Sequence, residues 1–78
     1  MNVTIRTIDK VLFAEAALEI NLPGLYGKVG IRPHHASMSV VLCEGEIQVK
    51  LASSTETFTI QNGIAQVSNN TVDVLIVS

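Results

Sequence analysis

Tryptophan is absent from this 78-residue chain, and its only aromatics are two Phe and one Tyr. A core that lacks large rings has to be filled by aliphatic side chains. A single cysteine excludes an internal disulfide and suits a reducing compartment. With that, the glycosylation-type triplets Asn2-Val3-Thr4 and Asn69-Asn70-Thr71 are chance matches. Charged residues make up 15%, against roughly 25% in an average soluble domain. The net charge of −2 provides no basic field, which excludes the electrostatic footprint of a nucleic-acid binder. Apolar runs such as Val40-Val41-Leu42-Cys43 stop far short of the roughly 20 residues that span a bilayer as a helix. The N-terminal Met1-Asn2-Val3-Thr4-Ile5-Arg6 alternates in polarity and lacks the apolar stretch of a signal peptide.

What is present is aliphatic and alternating. Hydrophobic residues reach 47%, a large share for a domain that buries only about 60% of its unfolded surface. The surplus points to surface covered by a partner. Val3 and Ile5 face one way while Thr4 and Arg6 face the other, the period of a strand with one buried side. Leu18, Ile20 and Leu22 repeat the pattern, as do Ile47, Val49 and Leu51. Phe58 and Ile60, Ala65 and Val67, and Val72, Val74 and Ile76 continue it. In the last strand Leu75 and Val77 make the second face apolar as well. Such a strand is either central or covered by a partner.

Turn residues separate these runs. Pro23-Gly24 suits a turn in which Pro fixes φ and Gly takes the positive φ. Glu44-Gly45, Ser53-Ser54 and Asn62-Gly63 follow, Asn-Gly being the strongest short hairpin signal and Asn69-Asn70 a weaker form of it. Short strands at this spacing predict an all-β fold, an antiparallel sandwich or barrel, as one domain over residues 1–78. One segment resists: Val11 to Ile20 is rich in Leu, Ala and Glu, and Leu12, Phe13, Ala16, Ala17 and Ile20 would line one face of a helix.

Residues able to carry chemistry are few. Adjacent His34 and His35 would point to opposite faces of a strand, and a zinc site needs three or four ligands, to which only Cys43 could add. Cys43 with a histidine could in principle form a nucleophilic pair, but nothing in the sequence orients or activates it. The seven carboxylates are scattered. Gly24, Gly27 and Gly30 lack the Gly-Lys-Ser/Thr ending and following helix of a phosphate loop, and read better as φ-permissive backbone. No enzyme emerges from these residues.

Leu22-Pro23-Gly24-Leu25-Tyr26-Gly27-Lys28-Val29-Gly30-Ile31-Arg32-Pro33-His34-His35-Ala36 closely resembles the L-P-G-x-x-G-x-x-G-I-x-P-G-H-A motif of epsilon subunits of F-type ATP synthases. Asn62 to Leu75 resembles the family's G-G-x-x-E-V-x-x-N-x-V-x-V-L block. Gly45 stands where the family keeps a glycine, and Leu12-Phe13-Ala14-Glu15 is similar to its early L-F-x-G-E. The blocks are collinear and cover essentially the whole chain. The resemblance implies a flattened sandwich of two sheets at the foot of the central stalk, peripheral to the membrane. It implies a non-catalytic rotor subunit, without cofactor or metal, that helps couple ion-driven rotation to ATP synthesis. The implied partners are the gamma subunit, approached by His35, Met38, Val40 and Leu42, and the c-ring, approached by Leu25, Tyr26, Lys28 and Val29. The implied location is the cytoplasmic face of a bacterial inner membrane, or its organellar equivalent. The alternative is a free-standing β-sandwich module that binds a peptide or sugar.

The chain departs from the family pattern in places. Ile8 replaces a proline, Ala14 a glycine and Ser37 a proline, while His34 takes the glycine position of P-G-H-A. Lys28 stands where many members are acidic. Asn62 replaces the first glycine of a pair, where it is expected to keep a turn because Asn tolerates left-handed geometry. Members commonly carry a C-terminal helix pair that restrains ATP hydrolysis, and the sequence stops at Ser78. The expectation is that this chain does not inhibit by the helical route.

Overall fold

The computed structural model describes all 78 residues as nine strands and no helix. They are β1 (Asn2–Arg6), β2 (Val11–Ala16), β3 (Glu19–Gly24), β4 (Gly27–Ile31), β5 (Met38–Leu42), β6 (Gly45–Lys50), β7 (Thr55–Ile60), β8 (Gly63–Ser68) and β9 (Thr71–Ile76). One layer runs β2-β1-β9-β8-β5 and the other β4-β3-β6-β7. They are hydrogen-bonded to each other at one corner, where Gly24 of β3 pairs with Leu42 of β5. At the far side Phe13 of β2 meets Phe58 of β7 edge to face, with ring centroids 6.0 Å apart. An edge-to-face aromatic contact is worth about 0.5–1.5 kcal/mol beyond area burial. The sandwich is therefore hinged by backbone on one side and held by rings on the other.

Alternation places the core as the sequence predicts. Val3, Ile5, Ile20, Leu22, Ile47, Val49, Ile60, Ala65, Val67, Val72 and Val74 are buried between the layers. Each fully buried Val, Leu or Ile contributes about 1.5–3 kcal/mol, which has to offset the ordering entropy of a short chain. Three expected inward positions are only partly covered: Leu51, Phe58 and Ile76 lie at the rim of the core. Leu18 is mainly exposed, because β3 begins one residue later, after Leu18 N–H donates to Lys50 O at 2.8 Å.

Val11–Ile20 forms strands, as the family resemblance implies and against the local helical signal. β2 pairs with β1 from Asn2↔Ala16 to Ile5↔Phe13, and β3 pairs with β4 and β6. Phe13, Ala17 and Ile20, which share a helical face, are all buried here too, with Phe13 opposite Ile5, Ile20 opposite Val49 and Ala17 in the connection between the two strands. Tertiary pairing outweighs a local preference worth only tenths of a kcal/mol per residue.

The turns fall at other residues than expected. Pro23-Gly24 is not a turn; both residues belong to β3, and the reversal is at Leu25-Tyr26, with the positive φ on Gly27 (126°). Asn62-Gly63 is not a hairpin either, since β7 pairs with β6 while β8 pairs with β5 and β9. There the chain crosses between layers. Asn62 has no positive φ; it exchanges backbone hydrogen bonds with Val77 and Ser78. The tight two-residue hairpin is Asn69-Asn70, with φ of 49° and 59° between Ser68 and Thr71, which is type I′ geometry.

Arg32-Pro33-His34-His35 forms a type II turn: Pro33 sits at its second position, His34 has φ 64°, and His35 N–H donates to Arg32 O at 3.2 Å. The family's glycine at this position suits that φ, and the histidine strains it. His34 N–H also donates to Asn70 Oδ1 at 2.8 Å, tying the turn to the β8–β9 hairpin. His34→Gly removes a strained Cβ at an exposed site but increases unfolded-chain entropy. The expected net gain is about 0.5–1 kcal/mol, measured as a higher midpoint in urea.

Candidate functional site: one apolar end of the sandwich

Opposed residues on neighbouring strands share a face, so register alone arranges the outward side chains into rows. In the five-stranded layer, Val11 of β2 opposes Arg6 of β1, Arg6 opposes Leu75 of β9, Leu75 opposes Ile64 of β8, and Ile64 opposes Val41 of β5. That is one transverse row across the entire layer, apolar at four of its five places. Val11, Val41 and Ile64 are 58%, 54% and 45% exposed. The next row on the same face is Ala14, Thr4, Asp73, Gln66 and Ser39, polar except for the alanine. Ser39 Oγ donates to Gln66 Oε1 at 2.6 Å there. The apolar surface is therefore a band at one end, not a whole greasy face.

The band continues past the strand ends. Beyond β1 and β9, exposed Ile8 and Val77 flank a groove whose floor includes Leu75. Beyond β5, Leu25 N–H donates to Val41 O at 2.8 Å, which anchors the β3–β4 hairpin tip beside the band. At that tip Leu25 is half exposed and Tyr26 is 99% exposed. An aromatic ring left almost wholly in water is uncommon, and contiguous exposed apolar surface marks an interaction site. Of the nine exposed large hydrophobic residues only Leu18 lies away from the band and the tip, Leu12 standing beside Val11 where a bulge shifts the β1–β2 register at Arg6.

Against this geometry the residues expected from sequence divide. Leu25, Tyr26 and Lys28 are exposed on the hairpin, whereas Val29 is partly covered and packs on the core. His35 is exposed in the β4–β5 loop, with Nδ1 2.8 Å from Ala36 O, and Met38 is half-buried. Val40 and Leu42 are 6% and 2% exposed, so they belong to the core and present no surface. Strand alternation is the reason: β5 shows Ser39 and Val41 outward. His35 and Met38 also lie at the other end of β5 from Val41. Sequence reasoning passed over Arg6, Ile64 and Val41. Leu75 and Val77 it noted as apolar on a second face, and that was the available signal.

The four-stranded layer is different outside. Asn21, Lys28, Glu46 and Gln48 surround an open polar recess beside Cys43 and Glu44. Glu19 accepts from Arg32 Nε at 3.2 Å and lies 3.7 Å from Lys50 Nζ. A hydrogen bond from Asn21, followed by Arg32 and the Lys50 charge and opposed in part by burial, holds the Glu19 carboxyl below its usual range. Cys43 directs its thiol at Pro23 O and Gly24 O, at 3.5 and 3.6 Å. It lies at the opposite end of β5 from the two histidines, so no nucleophile–base pair is assembled. Three or more His, Cys, Asp or Glu side chains do not converge anywhere.

The family model described as ATP synthase, Delta/Epsilon chain, beta-sandwich domain matches residues 1–78. The chain belongs to that family. It is 34% identical over 76 residues to the chloroplastic ATP synthase epsilon chain of Thalassiosira pseudonana, covering 97% of this chain and 57% of that relative. It is 35% identical over 78 residues to the ATP synthase epsilon chain of Synechocystis sp., again covering 57% of the relative. The chain thus spans somewhat over half the length of the relatives it matches. Its fold is similar to chains in the mitochondrial ATP synthases of Euglena gracilis (TM-score 0.90, 22% identity, 97% of this chain and 49% of that one) and Tetrahymena thermophila (TM-score 0.85, 19% identity, 99% and 63%). The second of these is described as central stalk and c-ring. No helix is long and apolar enough to cross a membrane.

Proposed function

We propose that this domain is the β-sandwich of an epsilon-type subunit in the central stalk of an F-type ATP synthase. It is a non-catalytic rotor part that helps couple ion-driven rotation to ATP synthesis. The observation that carries this is the concentration of exposed apolar side chains at one end: the band Val11–Leu75–Ile64–Val41 beside the Leu25–Tyr26 tip. Two adjoining apolar surfaces suit a piece wedged between two partners. The gamma subunit covers the outer face of the five-stranded layer, with Val41 and Ser39 as the outward side of β5. His35 stands exposed in the loop before β5, Met38 packs at the rim of the core, and Val40 and Leu42 hold the strand from beneath. The c-ring meets the hairpin through Leu25, Tyr26 and Lys28, with Val29 bracing it. The complex sits at a membrane, on the cytoplasmic face of a bacterial inner membrane or its organellar counterpart.

Tyr26→Ser tests the hairpin contact. The ring touches little of its own chain, so the melting temperature should stay put, within about 0.5 kcal/mol of stability. In the assembled enzyme, ATP-driven ion pumping should fall several-fold while ATP hydrolysis persists. Pumping equal to wild type removes the hairpin from the coupling path. Absence of any binding to the gamma subunit leaves a free-standing binding module.

A further inference from the structure

The apolar band is cut at a single place, by Arg6. Its Nε donates to Asp73 Oδ1 at 3.2 Å, the only hydrogen bond its side chain makes. The guanidinium carries five N–H donors, so four, on the two terminal nitrogens, have no partner in the chain. Arg6 and Asp73 are 43% and 47% exposed, with Ile64 and Leu75 beside them around one shallow depression. A partner that covers the band therefore desolvates a guanidinium with unused donors. Leaving them unpaired costs more than the flanking apolar contacts return. A carboxylate on the partner resolves this, accepting two parallel bonds from the terminal nitrogens.

Resting on the stalk reading above, we infer that Arg6 is a specificity-determining contact. The gamma subunit lays an amphipathic helix across the band and directs one carboxylate from it at the Arg6 terminal nitrogens. The dimensions suit a helix. Five strands at about 4.8 Å spacing make the row roughly 19 Å long, the length of about 13 helical residues. The polar row of Thr4, Asp73, Gln66 and Ser39 limits the band to the width of one helical stripe. Among apolar contacts that slide freely, the ion pair sets the register of one subunit on the other.

The test is calorimetric titration of the protein with its own gamma subunit. Wild type should bind, and Ile64→Asp should lose at least about 100-fold. Arg6→Leu should weaken binding at least about tenfold and flatten the salt dependence that wild type shows. Because Arg6→Leu also strands Asp73, the double variant Arg6→Leu/Asp73→Asn is the deciding one, and it should remain weak. If the double variant binds like wild type, Arg6 serves only to neutralise Asp73 and the inference is wrong. If wild type binds and Ile64→Asp binds equally well, the band is not the interface and the inference again fails, with the stalk reading intact. If folded wild type does not bind gamma, the stalk reading itself falls and takes the inference with it.

Discussion

Leu42→Asp is expected to leave no folded protein, while Val41→Asp, one residue away, folds and loses its partner. Leu42 is 2% exposed and lies where the two layers join at Gly24. Losing a buried leucine costs about 2–5 kcal/mol, and placing a carboxylate in the same apolar site adds several more. At about 0.05–0.15 kcal/mol per residue, a domain of 78 residues has only about 4–12 kcal/mol in total. Val41 is half exposed, and its replacement forfeits a strand-favouring side chain and the cross-strand contact with Ile64, about 1 kcal/mol together. Circular dichroism and thermal melting should show a cooperative fold for Val41→Asp and none for Leu42→Asp. Titration with gamma should show Val41→Asp weakened roughly 100-fold, as for a charge placed in an apolar interface core. A folded Leu42→Asp would mean that β5 is turned the other way.

Gly24→Ala is expected to cost about 2–3 kcal/mol, which for a domain of this size lowers the melting temperature by roughly 10–20 °C. An added Cβ would stand 2.5 Å from Gly27 O, 3.3 Å from Val29 and 3.4 Å from Val40. The nearest of these is backbone and cannot rotate aside. Gly24 is also where β3 passes between β4 and β5, so relief on one side tightens the other. Gly30→Ala is the contrasting control, since its nearest neighbour is the Oδ1 end of the Asn21 side chain at 3.2 Å, which needs only a slight shift. A change within about 0.5 kcal/mol is expected there. Equal melting temperatures for the two variants would overturn the close-approach account.

These two glycines show where a motif stops being informative. Gly24, Gly27 and Gly30 recur at equal spacing and read as one permissive loop. In the fold only Gly27 needs its left-handed φ, Gly24 is required by a carbonyl from its own hairpin, and Gly30 by neither. Spacing does not distinguish these cases, because the contact at Gly24 depends on how β3 and β4 pack. The turns behave similarly. Pro23-Gly24 and Pro33-His34 both start with proline, yet only the second is a turn, since β3 is drawn straight through Pro23 by pairing on both sides.

The candidate site was half legible. The hairpin tip came from the motif, and the structure leaves Leu25 and Tyr26 in water as that reading requires. On β5 the residues expected at the surface, Val40 and Leu42, point inward, because a shift of one position turns every side chain to the other face. Val40-Val41-Leu42 is apolar throughout, so alternation gives no local sign of which residue points inward. Only pairing with β8 decides it, by setting Val40 opposite buried Ala65 and Val41 opposite exposed Ile64.

By itself the sequence determined that the chain folds as a β-sandwich with an aliphatic core, which residues of most strands face inward, and the family to which it belongs. Period-two alternation and motif residues are properties of short windows, so they survive without knowledge of the rest of the chain. The tertiary structure alone decided that Val11, Leu75, Ile64 and Val41 form one band around Arg6, that Asn62-Gly63 is a crossover, and that a side chain at Gly24 would meet the Gly27 carbonyl. Each of these depends on which strands are neighbours. Strands whose paired residues lie 21 to 29 positions apart, as in β5 and β8, or 69 apart, as in β1 and β9, meet only because burying the aliphatic faces brings them together.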